Sequence, residues 1–212
     1  MVIMKIYFDG CSWTWGDELE NRKEERYSRF VCNQLGADEY NFSKCGGSND
    51  RIVRNLLVEN KIEDYDLAVI QMTYPARTEY IDRNSAKDNK DKWKKISAKH
   101  NYSVWLREGR GDISRIAEKF NKHKEFWKYY YLNIATKEYF DTKEKIHFET
   151  IKAYCKSKNV PLIICSINNW SKLNFDVKMD RMRLKKHHYS HPTKESHQLI
   201  AERILSKWEN LK

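Results

Sequence analysis

The sequence predicts an α/β fold in which helices cover both faces of a parallel sheet. Two observations lead to this prediction. Short apolar runs recur along the 212-residue chain, and stretches with helical periodicity separate them. The run at 66–72 is also nearly continuous in apolar residues, which is typical of a strand buried on both faces of a parallel sheet.

The individual elements follow from periodicity and from turn residues. Apolar runs predict strands at 3–8, 39–42, 66–72 and 161–165. Helical patterns predict helices at 22–35, 48–60, 142–158 and 192–211. Gly36 is a suitable stop for the first helix and Ser48 a suitable N-cap for the second, whereas Pro192 suits the first turn of the last helix.

The segment at 78–140 interrupts the alternation of strands and helices. Its first part, 78–111, is polar and rich in Lys and Asn, and a helical pattern follows at 112–139. We therefore predict a single domain covering 1–212, with a largely helical insertion or lid at about 78–140.

Composition narrows the range of partners. The formal net charge is +10, but the lysines are spread along the chain without an Arg-rich run. This pattern favours a solvated basic surface over a nucleic-acid interface, which is the less favoured alternative. No run of about 18 apolar residues is present to cross a bilayer, so we expect no membrane partner. The abundance of Lys, Asn, Tyr and Ile is typical of an AT-rich coding sequence, such as that of a phage or a small bacterial genome.

The cysteines and the N-terminus bear on the cellular compartment. The five cysteines are scattered and lack a C-x-x-C pair, so neither a disulfide framework nor a zinc knuckle is expected. The N-terminus lacks the pattern of a secretion signal. We therefore predict a cytoplasmic protein with reduced thiols and without a cofactor, and the sequence leaves the oligomeric state open.

In parallel sheets the ligand site lies beyond the carboxyl ends of the strands. This rule brings four segments to one rim, namely 10–17, 43–49, 73–77 and 166–191. Residues suited to chemistry on this rim are therefore expected to lie close together.

Each rim segment carries a candidate residue. Ser12 lies at a strand-to-helix turn, where a hydroxyl can act as a nucleophile or simply stabilise the turn. Gly46 and Gly47 precede a helix, where a backbone N–H can approach an anion, or where a loop only needs flexibility. The Thr73 hydroxyl follows a buried strand and can reach the rim. His191 begins the last helix, where an imidazole can exchange a proton with a serine.

Several alternatives stay open at this rim. Cys11, beside Ser12, is a rival nucleophile. Arg77 can bind a carboxylate or phosphate, or can form a surface salt bridge. The histidines can be only a polar helix start, or His187, His191 and His197 can form a zinc site, although catalytic zinc sites usually recruit a carboxylate or a third well-spaced His. We predict no metal.

The rim segments resemble the sequence blocks of SGNH (GDSL-like) hydrolases. The first block of that family, G-D-S followed by T-x-G, is similar to GCSWTWG at 10–16. The second, an Asn with an oxyanion Gly five residues later, is similar to Asn41 and Gly46. The third, G-x-N-D, falls at QMTY, 71–74, and the fifth, D-x-x-H-P, falls at HYSHP, 188–192.

The resemblance implies a flavodoxin-like three-layer α/β/α sandwich that hydrolyses an acyl ester, for example an O-acetyl group on a carbohydrate or small molecule. It implies Ser12 as the nucleophile and His191 as the base. The oxyanion hole would consist of the Ser12 N–H, the N–H of Gly46 or Gly47, and the Thr73 hydroxyl. Residues expected to contact substrate are Asn49, Arg77 and Trp13.

Three departures from the family pattern affect this implied mechanism. Cys11 replaces the Asp of the first block, Thr73 replaces the oxyanion Asn, and His188 stands where the carboxylate that orients the base is expected. Groups that could orient His191 instead are His188, Asp176, Asp180, Asp17 or a carbonyl of the 166–190 loop. We therefore predict a slow hydrolase with a Ser–His dyad, or a binding module, such as a phage accessory protein, that keeps the site without its activity.

Overall fold

The computed structural model describes residues 3–81, 93–96, 129–168, 170–179 and 191–211. The strands are β1 (Lys5–Asp9), β2 (Asp38–Asn41), β3 (Leu67–Met72), β4 (Thr78–Ile81), β5 (Trp93–Ile96), β6 (Leu162–Ser166) and β7 (Val177–Lys178). The α-helices are α1 (Ser12–Trp15), α2 (Arg22–Glu25), α3 (Tyr27–Leu35), α4 (Asn49–Arg54), α5 (Lys137–Ser157) and α6 (Lys194–Glu209).

The central sheet is parallel and has the order β2-β1-β3-β6-β7. This is the flavodoxin-like arrangement, in which the chain moves outward in opposite directions from the first strand. The predicted α/β fold class is therefore confirmed. The change of direction between β1 and β3 opens a crevice at their carboxyl ends, and the segments carrying Ser12 and Thr73 begin there.

Two hydrophobic cores lie on opposite faces of this sheet. Successive residues of a strand point to opposite faces, so Ile6 and Phe8 pack in one core and Tyr7 in the other. The first core is completed by α3 and α6, and the second by α4 and α5. Burial on both faces explains why the run predicted at 66–72 is nearly continuous in apolar residues.

The helices differ from the predictions at three points. The helix expected at 22–35 is broken at Arg26, whose extended backbone (φ −75°, ψ 149°) separates α2 from α3. Ser48 does cap α4, but that helix continues as a π-helical turn at Asn55–Glu59. Pro192 lies before α6 and not in its first turn, because Thr193 is the N-cap and accepts a hydrogen bond from Ser196 N.

The segment predicted to be an insertion begins with a two-stranded antiparallel sheet, β4 and β5, that the sequence did not predict. Its base is tied to the main body, since Arg54 of α4 pairs with Glu79 of β4 through two contacts of 2.7 and 3.0 Å. The helical pattern at 112–139 falls mostly outside the described residues. The described part of it contains a π-helical turn at Tyr130–Ile134 and the start of α5.

Two general features of the described residues complete the architecture. None of their helices is both long and apolar enough to cross a bilayer. The five cysteines are all free thiols.

The short strand β7, which has only two residues, was not predicted because so short a strand leaves no readable periodicity.

Candidate active site

The turn after β1 is held in one conformation by the neighbouring strand. Gln71 of β3 accepts hydrogen bonds at Oε1 from Cys11 N and from Thr14 Oγ1, both at 3.1 Å. Gly10 has to be glycine, because a Cβ there would lie 2.2 Å from Thr14 Oγ1 and 2.8 Å from Gln71 Oε1. The close packing of Gly10, Thr14 and Gln71 therefore fixes the backbone position at which α1 begins with Ser12.

Ser12 and His191 meet in the crevice, although they come from opposite ends of the chain. Ser12 Oγ lies 2.9 Å from His191 Nε2, and both side chains are buried. His191 lies two residues before Thr193, the N-cap of α6, so the packing of that helix against the first core brings the imidazole to the serine. An imidazole at this distance can accept a proton from a serine hydroxyl.

Cys11 and Trp13, the neighbours of Ser12, point away from the crevice. The Cys11 thiol is fully buried and donates to Gln71 Oε1 at 3.2 Å. Trp13 packs in the first core and is only 3% exposed, so the expected contact of Trp13 with substrate does not fit the structure. The reason is the helical phase of α1, which turns Trp13 towards the core while Ser12 faces His191.

A carboxylate that the sequence reasoning missed lies on the far side of the imidazole. Glu18 Oε1 is 2.8 Å from His191 Nδ1, at an ion-pair distance, although the ring N–H direction is out of line for a hydrogen bond. Glu18 follows the first rim segment by one residue, and the acidic pair Asp17-Glu18 was the available signal. Its backbone has a positive φ of 69°, which a sequence pattern does not reveal.

Of the residues that were predicted to orient His191, the two that the structure describes have other partners. Asp17 Oδ2 is 4.0 Å from Nε2, the nitrogen that faces Ser12, and accepts a hydrogen bond from the Cys45 thiol. Asp176 accepts from the backbone N–H of Ile164 at 2.9 Å. His188 and Asp180 lie outside the described residues, as does the whole of the 166–190 loop after Met179.

The loop at 43–49 contacts the turn after β1. Lys44 N donates to the carbonyl of Gly10 at 3.3 Å, and Gly47 N donates to Lys44 O at 2.8 Å. The N–H of Gly47 is therefore occupied. Gly46 has a positive φ of 69°, and within the described parts of the chain its N–H has no acceptor, so Gly46 is the better of the two oxyanion candidates.

The segment after β3 is fixed by Asn49 and Arg77. Asn49 accepts from Thr73 N at 2.8 Å and donates to Thr73 O at 3.0 Å, which occupies both ends of its amide. Arg77 Nη1 donates to Thr73 Oγ1 at 2.8 Å and reaches the Gly47 carbonyl at 3.4 Å. Asn49 thus holds the backbone of this segment rather than presenting its amide to a substrate, and Arg77 joins the segment to the glycine loop.

A buried ion pair supports the end of β1 from behind. Asp9 is fully buried, and its carboxylate accepts from Arg51 Nη1 at 2.8 Å and from Asn55 Nδ2 at 3.0 Å. Burial raises the pKa of Asp9, and the Arg51 guanidinium opposes this rise. The same Arg51 donates to the carbonyl of Phe42, so the ion pair links β1 to the loop after β2.

His197 is a structural residue rather than a partner of His191. Its Nδ1 accepts a hydrogen bond from Tyr27 N at 3.2 Å, and its ring stacks on that of Tyr27. Burial, with a smaller contribution from the charge of His191, lowers the pKa of His197 to about 3. His187, the other residue of the considered zinc site, lies outside the described residues, and within the described ones no three His, Cys, Asp or Glu side chains are arranged to hold a metal ion.

Comparisons with known proteins show that this chain resembles solved structures in its fold. No family model and no curated protein sequence matches the chain. A solved carbohydrate esterase, reported to have divergent catalytic and non-catalytic binding functions, superposes with a TM-score of 0.53 at 11% identity over 98% of this chain and 65% of that chain.

Two further solved structures resemble the chain less closely in shape. The psychrotrophic esterase EstA from Pseudoalteromonas sp. gives a TM-score of 0.44 at 14% identity, over 97% of this chain and 98% of that chain. An acetyl xylan esterase from Butyrivibrio proteoclasticus also gives 0.44 at 14% identity, over 100% of this chain and 65% of that chain. At these identities the likeness concerns the fold, which is the parallel α/β fold described above.

Proposed function

We propose that this protein is an SGNH-like serine hydrolase that cleaves an ester through Ser12 and His191. The observation that carries the proposal is the buried contact of 2.9 Å between Ser12 Oγ and His191 Nε2. A serine hydroxyl is a weak nucleophile unless an adjacent base takes its proton, and His191 is the base within reach.

In the first half of the reaction, Ser12 Oγ forms a bond to the acyl carbon while its proton passes to His191 Nε2. The tetrahedral intermediate collapses, and His191 returns that proton to the departing alkoxide, which leaves as an alcohol. In the second half a water repeats the attack on the acyl-serine, with His191 again as the base. The products are a carboxylic acid and the free enzyme.

The negative charge on the tetrahedral oxygen needs hydrogen-bond donors that are already in place. We assign this role to the N–H groups of Ser12 and Gly46, neither of which has an acceptor in the described segments. Ser12 is the first residue of α1, so its N–H has no partner within the helix. The Thr73 hydroxyl is the third donor of the proposal. Removal of one such donor costs roughly 3 kcal/mol of transition-state stabilisation.

Ser12 is the proposed nucleophile in preference to Cys11. The Cys11 thiol is fully buried and donates to Gln71 Oε1 at 3.2 Å, although its sulfur lies 3.9 Å from Ser12 Oγ. Cys11 packs in the first core, and its N–H donates to Gln71 Oε1. The serine is the side chain that touches the imidazole.

For the substrate we propose an acyl ester of a small alcohol or a carbohydrate. Asp17 is the support for this choice, because its partly exposed carboxylate lies at the Ser12 side of the imidazole and can accept hydrogen bonds from hydroxyl groups. The fold likeness to a carbohydrate esterase is compatible with this substrate class.

A fluorophosphonate probe tests the proposal directly. Attack by Ser12 on phosphorus would expel fluoride and leave a covalent adduct, which mass spectrometry of peptides can locate. We expect one adduct on Ser12, no adduct in Ser12→Ala, and unchanged labelling in Ser206→Ala, a control on the exposed face of α6. Absence of labelling in folded wild-type protein would contradict the hydrolase proposal and favour the binding module.

A further inference from the structure

We infer that Glu18 is the carboxylate that orients His191, in place of the acid that the fifth sequence block lacks. This inference rests on the proposed function, since it assigns a positioning residue to the same pair. The three groups form a chain of contacts, with Ser12 Oγ 2.9 Å from Nε2 and Glu18 Oε1 2.8 Å from Nδ1. No other acidic side chain of the described segments contacts Nδ1, because Asp17 faces Nε2 and Asp176 pairs with Ile164 N.

The local backbone explains how a residue so close to the nucleophile reaches the far side of the imidazole. Helix α1 ends after one turn at Gly16, whose φ is 79° and whose N–H bonds to Ser12 O. Asp17 N also bonds to Ser12 O at 2.9 Å, and Leu19 N bonds to Gly16 O. The chain therefore doubles back at 16–19 and carries Glu18 over His191.

Glu18 adopts a conformation that an L-residue rarely takes. Its φ is 69°, and a non-glycine residue in this region costs free energy that the surrounding structure must supply. Such residues concentrate at functional sites, where the strained conformation aims a side chain. Among the residues that the structure describes, the second carboxylate oxygen, Oε2, is buried without a hydrogen-bond partner, and the nearby imidazole can compensate for the burial of this charge.

The chemistry requires a carboxylate at this position. An acceptor at Nδ1 keeps the ring proton there, which leaves Nε2 unprotonated and able to accept the Ser12 proton. Once His191 is protonated, the negative charge stabilises the imidazolium. The misaligned N–H is compatible with this role, because hydrogen bonds of catalytic groups often tighten only when substrate is bound.

The test is the isosteric substitution Glu18→Gln, which keeps the shape and removes the charge. The amide can present its NH2 group to Nδ1 and so favour the wrong tautomer of the ring. In serine proteases the corresponding change lowers kcat by about 10⁴-fold. Because Glu18 is partly exposed, we expect a smaller loss of about 10²–10³-fold in kcat on an aryl ester, with little change in KM.

The matched control is Glu20→Gln, the same substitution two residues further along at an exposed position. We expect its kcat to stay within twofold of the wild type. Glu18→Asp retains the charge on a shorter side chain and should recover part of the loss. Thermal unfolding of all three variants separates a catalytic effect from a loss of folding.

A second readout does not depend on turnover. The ¹⁵N shifts of His191, assigned by comparison with His191→Gln, report the nitrogen that carries the proton. We expect the Nδ1–H tautomer in the wild type and in Glu20→Gln, and a shift towards Nε2–H in Glu18→Gln. An unchanged tautomer in Glu18→Gln, or a kcat no lower than that of Glu20→Gln, would overturn the assignment of Glu18. Failure of the wild type to label with fluorophosphonate would instead count against the hydrolase proposal, and the ¹⁵N result would still decide the role of Glu18.

Discussion

Substitution of Gly10 by alanine should abolish most of the activity by displacing the nucleophile. The added Cβ would lie 2.2 Å from Thr14 Oγ1, 2.8 Å from Gln71 Oε1 and 2.9 Å from Thr14 Cβ, all of which are too close for van der Waals contact. The turn must move, or Thr14 must give up its hydrogen bonds to Gln71 and Tyr27. Overpacking of this kind costs about 1–3 kcal/mol of stability.

The fall in activity should be larger than the loss of stability alone would cause. A displacement of about 1 Å at a catalytic group can cost about 10²-fold in rate, so we expect kcat/KM of Gly10→Ala on an aryl ester to fall by about that factor. Urea unfolding measures the stability of the same preparation. If urea unfolding shows that Gly10→Ala is folded under the assay conditions, the fall in kcat/KM reports the displacement of Ser12 and not a loss of folded protein.

Gly36→Ala is the matched control for this experiment. Gly36 ends α3 with a φ of 62°, and a Cβ there would meet no atom of the described residues within 4 Å. Backbone strain in this region costs about 1–2 kcal/mol per residue, so Gly36→Ala should lose comparable stability without losing activity. If Gly10→Ala kept its kcat/KM within twofold of the Gly36→Ala value, the proposed rigidity of the Ser12 turn would be refuted.

Three other substitutions test separate parts of the account. Thr73→Val, which replaces the hydroxyl by a methyl group, should lower kcat by about 10²-fold if Thr73 is an oxyanion donor, and an unchanged kcat on an aryl ester would remove it from that role. Arg51→Met should lower the free energy of unfolding by about 3–5 kcal/mol in urea, because it leaves the buried Asp9 carboxylate unpaired; a loss below 1 kcal/mol would contradict this. Asp50 is partly buried, which raises its pKa, but the hydrogen bond from His147 and the charge of Lys143 together lower that pKa to about 2. Because the folded-state pKa is the lower one, the wild type should lose about 2 kcal/mol of stability as the pH falls from about 4 to 2, and Asp50→Asn should flatten that dependence in urea titrations at each pH.

The sequence was informative for those parts of the fold that follow from the periodicity of apolar residues and from the direction of parallel strands. The strand β3 and the alternation of helices predicted a parallel sheet, and the rule that sites lie at the carboxyl ends of such strands directed attention to Ser12 and His191. The structure brings these two side chains into contact. We propose their catalytic role from this contact.

Other parts of the site depend on details that a linear pattern does not carry. Glu18 reaches His191 only through the tight turn at 16–19 and a positive φ. Trp13 was expected at the rim, but the single turn of α1 directs it into the core. The choice between Gly46 and Gly47 depends on which N–H is already bonded, and this requires coordinates.

The most direct test of the central claim is a double-mutant comparison of Ser12→Ala, His191→Gln and the double variant, each assayed on the same aryl ester. Groups that act as one unit show strongly non-additive losses, because removal of either group abolishes the step that they share. The account predicts that each single variant and the double variant lose the same factor in kcat. Losses that multiply in the double variant would contradict it, since Ser12 and His191 would then act independently.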